Sequence, residues 1–114
     1  MLNLLNRYKH IIADFKIKRY VNEGSLFACK IQISFSDKST LEVKEYRFSN
    51  NERKYAFHWM NKKGEMIIRW DNAAHWKHLP TFPHHKHIGK EVFASTEITL
   101  AEVLQVIEKQ LILQ

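Results

Sequence analysis

Apolar positions along this chain change their period twice. Leu4, Tyr8, Ile11, Ile12 and Phe15 fall at i, i+4, i+7, i+8 and i+11, which is one face of a helix and predicts a helix over about residues 3–13. The period then drops to two. Phe15, Ile17 and Val21 alternate with Lys16, Lys18 and Tyr20, and Asn22-Glu23-Gly24-Ser25 reads as a turn. Phe27, Cys29, Ile31, Ile33 and Phe35 alternate with Ala28, Lys30, Gln32 and Ser34, the cleanest strand signal in the chain. Further strands are predicted over Thr40–Phe48, Arg53–Met60 and Glu65–Asp71, divided by turns at Ser36–Ser39, Asn50–Glu52 and Asn61–Gly64. Glu91–Ser95 is a short sixth candidate. Thr99-Leu100-Ala101-Glu102 has the spacing of a capping box, and Leu100, Val103, Leu104, Ile107 and Leu111 form the apolar stripe of a closing helix. The expected fold is α+β, one domain over 1–114. It is an antiparallel β-meander of five or six strands with an N-terminal and a C-terminal helix packed on one face, since strands that follow one another usually pair.

Register follows once the turns are given lengths. Four-residue loops at 49–52 and 61–64 set Glu45 opposite Ala56, Met60 opposite Glu65 and His58 opposite Ile67. One face then carries Tyr46, Tyr55, Phe57, Trp59, Met66, Ile68 and Trp70. The other carries Glu45, Arg47, His58, Arg69 and Asp71, with Leu41, Val43 and Ile67 among them. A single bulge in either hairpin reverses one strand.

Between strand five and the closing helix lies the chemically dense stretch, Arg69 to Gly89. Five of the seven histidines lie from His75 to His87, with both prolines, Pro80 and Pro83. Two prolines three apart exclude a regular helix or central strand across them. The stretch is therefore expected to be a stiff loop anchored by Leu79, Phe82 and Ile88. Three chemistries compete for it. His85-x-His87 and His75-x-x-His78 offer imidazoles to a metal, but no recognised ligand spacing is matched, so no metal and no cofactor are expected. Histidine pairs also suit acid–base catalysis near neutral pH. Metal-free RNA cleavage needs a base, an acid and cations, and His58, His75, His84, His85, Arg69 and Glu45 supply those types. The third option is binding alone, with Trp70, Trp76 and Phe82 stacking bases and Lys77, Lys86 and Lys90 holding phosphates.

Composition narrows the setting. The chain of 114 residues is 45% hydrophobic, enough for a core, and carries a net charge of +6, which favours polyanionic partners. One cysteine, Cys29, permits no internal disulfide and points to a reducing compartment. Charges at Arg7 and Lys9 interrupt the apolar start, so no signal peptide is read there, and no run is long enough to span a membrane. A cytoplasmic location is expected.

Three segments resemble the TumE-like toxin family of prokaryotic toxin–antitoxin modules. They are Tyr55-Ala-Phe-His-Trp59, Ile68-Arg-Trp-Asp-Asn72 and His78-Leu-Pro-Thr-Phe-Pro-His-His-Lys-His-Ile88. Glu45 stands where that family's third strand also tends to carry a glutamate. The chain departs from the family at Trp70, Ala74 and Trp76, and His58, Arg69, His75, His84, His85 and His87 are the positions that carry over. The resemblance implies a small cytoplasmic toxin neutralised by a cognate antitoxin, often of helix-turn-helix type. Joined to the residue chemistry, the expectation is a metal-independent ribonuclease with histidine acid–base catalysis. The alternative is a module that inhibits by occupying RNA or a host protein.

Overall fold

The computed structural model describes residues 1–113. The elements are α1 (Leu2–Arg7), β1 (Ile12–Glu23), β2 (Leu26–Phe35), β3 (Thr40–Arg47), β4 (Arg53–Met60), β5 (Met66–Asp71), β6 (His85–Ile88), β7 (Glu91–Ala94) and α2 (Leu100–Ile112). The strands form one antiparallel sheet in the order β1-β2-β3-β4-β5-β6-β7. The meander is thus as expected, but with seven strands rather than five or six. The added strand is the histidine run itself. Pro83 lies before His85, so from 85 to 88 every backbone donor is free to join a ladder. Gly89, at φ 61, turns the chain so that Ile88 pairs with Glu91.

The first helix is shorter than its apolar spacing predicts. Ile12 and Phe15 belong to β1, whose register with β2 runs from Ile12↔Phe35 to Glu23↔Leu26. A long ladder outweighs the weak propensity of a short helix. At the other end, α2 matches its expectation. Thr99 accepts from the Glu102 backbone N–H while the Glu102 side chain accepts from Thr99, completing the capping box. Among the described residues, no helix is long and apolar enough to cross a membrane.

Loop lengths correct the expected register. In the β3–β4 hairpin, Phe48 N–H donates to Glu52 and Asn51 N–H donates to Phe48, with Asn51 at φ 66. The loop is therefore three residues, 49–51, and not four. Glu45 consequently faces Tyr55, one position from the expected Ala56. That slip turns β3 over. Between β4 and β5 the loop is again one residue shorter, since Asn61 N–H donates to Glu65 and Gly64 takes φ 82. Here a bulge after Met60↔Met66 adds a second shift, giving Trp59↔Ile68 and His58↔Arg69. Two single shifts restore the original facing, so His58, Arg69 and Asp71 do share a side.

The helix-bearing face holds one buried cluster: Cys29, Ile31, Ile33, Phe35, Leu41, Val43, Tyr55, Phe57, Trp59 and Trp70 from the sheet. Leu5, Leu100, Val103, Leu104 and Ile107 join it from the two helices. Both helices therefore pack on one face, as expected. Tyr46, assigned to this face from the sequence, lies on the other, paired with Lys54. Among the described residues, the second face carries no helix. Across it run Arg19 beside Lys30, Lys16 beside Gln32, then Lys44, Lys54 and Arg69.

Candidate functional site

The ladders line up two rows of side chains on the open face. The first row runs Glu42, His58, Arg69, His87 across β3, β4, β5 and β6. The second runs Lys44, Ala56, Asp71, His85. Directly opposed residues bring their Cβ atoms to about 4.5–5.5 Å, so each row is a contact series. Arg69 is flanked by His58 on one side and His87 on the other.

Asp71 is the hub. It is buried, and its Oδ1 accepts from the Ala73 backbone N–H at 3.0 Å, while Oδ2 accepts from Arg69 Nε at 3.1 Å. His85 Nε2 lies 2.9 Å from Asp71 Oδ1, and His87 Nε2 lies 3.4 Å from Oδ2. The His85 approach lacks hydrogen-bond geometry, so that nitrogen is buried without a hydrogen-bond partner among the described residues. On its other side, His85 Nδ1–H donates to the Pro83 carbonyl at 2.9 Å. Arg69 keeps its two terminal nitrogens free of acceptors among the described residues, and its side chain is 40% exposed.

Residues 72–84 wrap this corner. Asn72 is the tie: its side chain accepts from Tyr55 N–H and donates to Arg53 O. Thr81 Oγ1 donates to His84 O and accepts from Ser95 N–H. Trp76 sets its ring edge-on to His85 at 6.3 Å and His87 at 6.2 Å, forming a half-buried lid over the histidine pair. Phe82 and Ile88, expected as anchors, are exposed, and only Leu79 of the expected three is half-buried. The wrap leaves an open groove of about 720 Å³, with Lys44, Lys54, Arg69, Asp71 and His75 along it.

The structure separates several residues that the sequence reading grouped. Glu45 lies on the helix face, because β3 is reversed. There it binds Arg53 Nε at 3.0 Å, and Arg53 in turn reaches Glu97 and the Ile98 carbonyl and stacks on Tyr55. Glu45 therefore pins the segment leading into α2 and does not touch the histidines of the open face. His84 is also turned away: its Nδ1 shares a hydrogen bond with the Tyr55 hydroxyl at 2.8 Å. Burial pushes the Tyr55 hydroxyl up to about 12, so it stays protonated. Lys86 pairs with Trp70 on the helix side, not beside Arg69. His85 is not on the expected stiff loop but in β6, 1% exposed. Lys77 is exposed on the wrap, Lys90 sits in the β6–β7 turn, and His75 is exposed at the groove.

Protonation follows this geometry. Burial and then the Arg69 guanidinium hold His58 below its ordinary value, with Glu42 opposing them. Its Nε2 is buried without a hydrogen-bond partner among the described residues. Burial likewise lowers His87, although Asp71 works the other way. Cys29, raised by burial and by Glu45 to about 11, is an inert core thiol. The sequence reading missed Asp71 as the hub and Arg53 as the partner of Glu45. Asp71 had one signal, an acid placed two residues after Arg69 in a strand, but its histidines come from a strand that was not expected.

No curated protein and no solved structure matches the chain. The family model described as Toxin TumE matches residues 1–111 of the 114, which includes the meander, the histidine wrap and most of the closing helix. The chain belongs to the TumE toxin family.

Proposed function

We propose that this toxin acts on RNA as a ribonuclease, with the scissile phosphate held at Arg69 in the row Glu42–His58–Arg69–His87. The observation that carries the reading is that row: one guanidinium with unused donors stands between two imidazoles on the uncovered, basic face of the sheet. A guanidinium matches two phosphate oxygens at once. Lys44 and Lys54 lie along the same groove and suit neighbouring phosphates. His58, held neutral by burial and Arg69, is suited to accept a proton from a 2′-hydroxyl. The second group that cleavage needs lies across Arg69, in the cluster of Asp71, His85 and His87. This replaces His85 alone as the partner of His58, because His85 is enclosed.

A toxin of this family implies a cognate antitoxin. We infer a helix-turn-helix type with an acidic surface, matched to the net charge of +6. The test of the enzyme is induced expression followed by total RNA over minutes, with wild type beside Arg69→Ala and His58→Ala. RNA fragmentation that both variants lose while staying folded is the expected result. Growth arrest with intact RNA replaces cleavage by occupancy, which the breadth of the basic face also supports.

A further inference from the structure

The Asp71–His85–His87 cluster contains an electrostatic conflict. Pro83 O can only accept, so His85 carries its hydrogen on Nδ1. In the neutral ring, Nε2 is then an acceptor 2.9 Å from the Asp71 carboxylate, off the line of a hydrogen bond, in a site where His85 is 1% exposed. Two acceptors facing each other away from water are unfavourable unless a cation lies between them. The surroundings fit a cation larger than a proton. His87 Nε2 lies 3.4 Å from the same carboxylate, and the donor atoms of all three residues lie within 4.8 Å of one another.

We propose that Asp71, His85 and His87 bind one divalent transition-metal ion of the zinc class. Two imidazoles and one carboxylate suit such ions, whereas magnesium and calcium favour all-oxygen sites. The outer contacts are those that metal-binding side chains use. His85 donates its other ring N–H to a backbone carbonyl, and Asp71 is oriented by the Ala73 N–H and Arg69 Nε. Trp76 covers the two rings and limits water. Three protein donors leave coordination positions open, the pattern of reactive rather than structural sites. No linear ligand spacing announces this site, because its ligands come from adjacent strands paired as Asp71↔His85 and Arg69↔His87.

The role of the ion rests on the ribonuclease reading: beside Arg69 it would polarise an oxygen of the same phosphate. Binding and cleavage are therefore measured separately. The full chain is stripped with chelator, dialysed and titrated with Co(II) by visible absorption, then competed with Zn(II). One tight ion per chain with ligand-field bands is expected. His87→Ala and Asp71→Asn should each weaken it on the order of 100-fold or more, beyond the roughly 10–100-fold cost of losing an outer contact. His78→Ala, on the exposed wrap, should bind as wild type does. Circular dichroism confirms that each variant is folded. A folded wild type that binds no ion, or equal affinity in His87→Ala, overturns the site. RNA cleavage is then compared with and without the ion. Full-rate cleavage by the metal-free chain overturns the ion's part in the reaction. Tight binding with no RNA cleaved overturns the ribonuclease reading alone.

Discussion

His58 is a histidine placed where its charge is unwelcome. It faces Arg69 from β5 and Glu42 from β3, and burial with Arg69 outweighs the glutamate. The unfolded chain takes up a proton near the ordinary value of 6.5, whereas the folded chain takes it up only at lower pH. Between those values the unfolded state binds more protons. Stability should therefore fall as pH drops through 6.5 and level off below the folded value. Melting curves across pH should show a flatter profile for His58→Gln than for wild type. At the same residue, His58→Ala should slow RNA cleavage by roughly 10²–10⁴-fold. Arg69→Ala should cost on the order of 10²–10³, as for a lost donor to developing charge. His85 behaves differently from a loop histidine. His85→Ala should destabilise the fold by about 1–3 kcal/mol, since it removes a buried ring and orphans the Pro83 carbonyl. A denaturant midpoint unchanged from wild type would contradict its enclosed position.

At the scale of elements, the β3–β4 hairpin decides what Glu45 does. With three residues in the loop, Glu45 meets Arg53 under the helix side, and their side chains are 16% and 12% exposed. Burial disfavours the Arg53 charge, but Glu45 and Glu97 outweigh it and hold the guanidinium above its ordinary value. Glu45→Gln should lower stability by about 2 kcal/mol. That is less than the roughly 3–5 kcal/mol of a fully broken buried pair, because Glu97 and the Ile98 carbonyl remain as partners. RNA cleavage by the folded fraction should be unchanged, which separates this structural role from the catalytic one first read into the residue. A parallel test at the closing helix is Thr99→Ala, which removes half of the capping box and should cost about 1 kcal/mol in urea unfolding.

The whole molecule is two-sided. Helices and core occupy one face of the sheet, while the other presents Lys16, Arg19, Lys30, Lys44, Lys54 and Arg69. A bound single strand that engages about four phosphates should show a log–log salt slope of about −3. Lys44→Ala and Lys54→Ala should each make that slope shallower by just under one, with little change in folding, because both are exposed. Fluorescence anisotropy with labelled RNA from low to moderate salt measures it. A salt-independent affinity would remove the face as the RNA surface. If the antitoxin uses the same face, its complex should exclude RNA in competition.

Local chemistry alone determined much of this protein. Alternation placed five strands, the Thr99–Glu102 spacing placed α2, and turn residues placed the hairpins, because each signal depends only on near neighbours in sequence. His58, Arg69 and the histidine run stood out as candidates for the same reason: residue types announce what chemistry they can do. Which of them meet was decided by tertiary structure. Glu45 moved faces because one asparagine, Asn51, took a positive φ and shortened a loop by one residue. His58 and Arg69 stayed together only because a shorter loop and a bulge cancelled. His85 and His87 joined Asp71 because the chain after Pro83 found a sheet edge at β5, and a four-residue strand exists only when such an edge is there to receive it. Pairing is a long-range event with a period of two, so a one-residue change in any loop re-sorts every side chain beyond it.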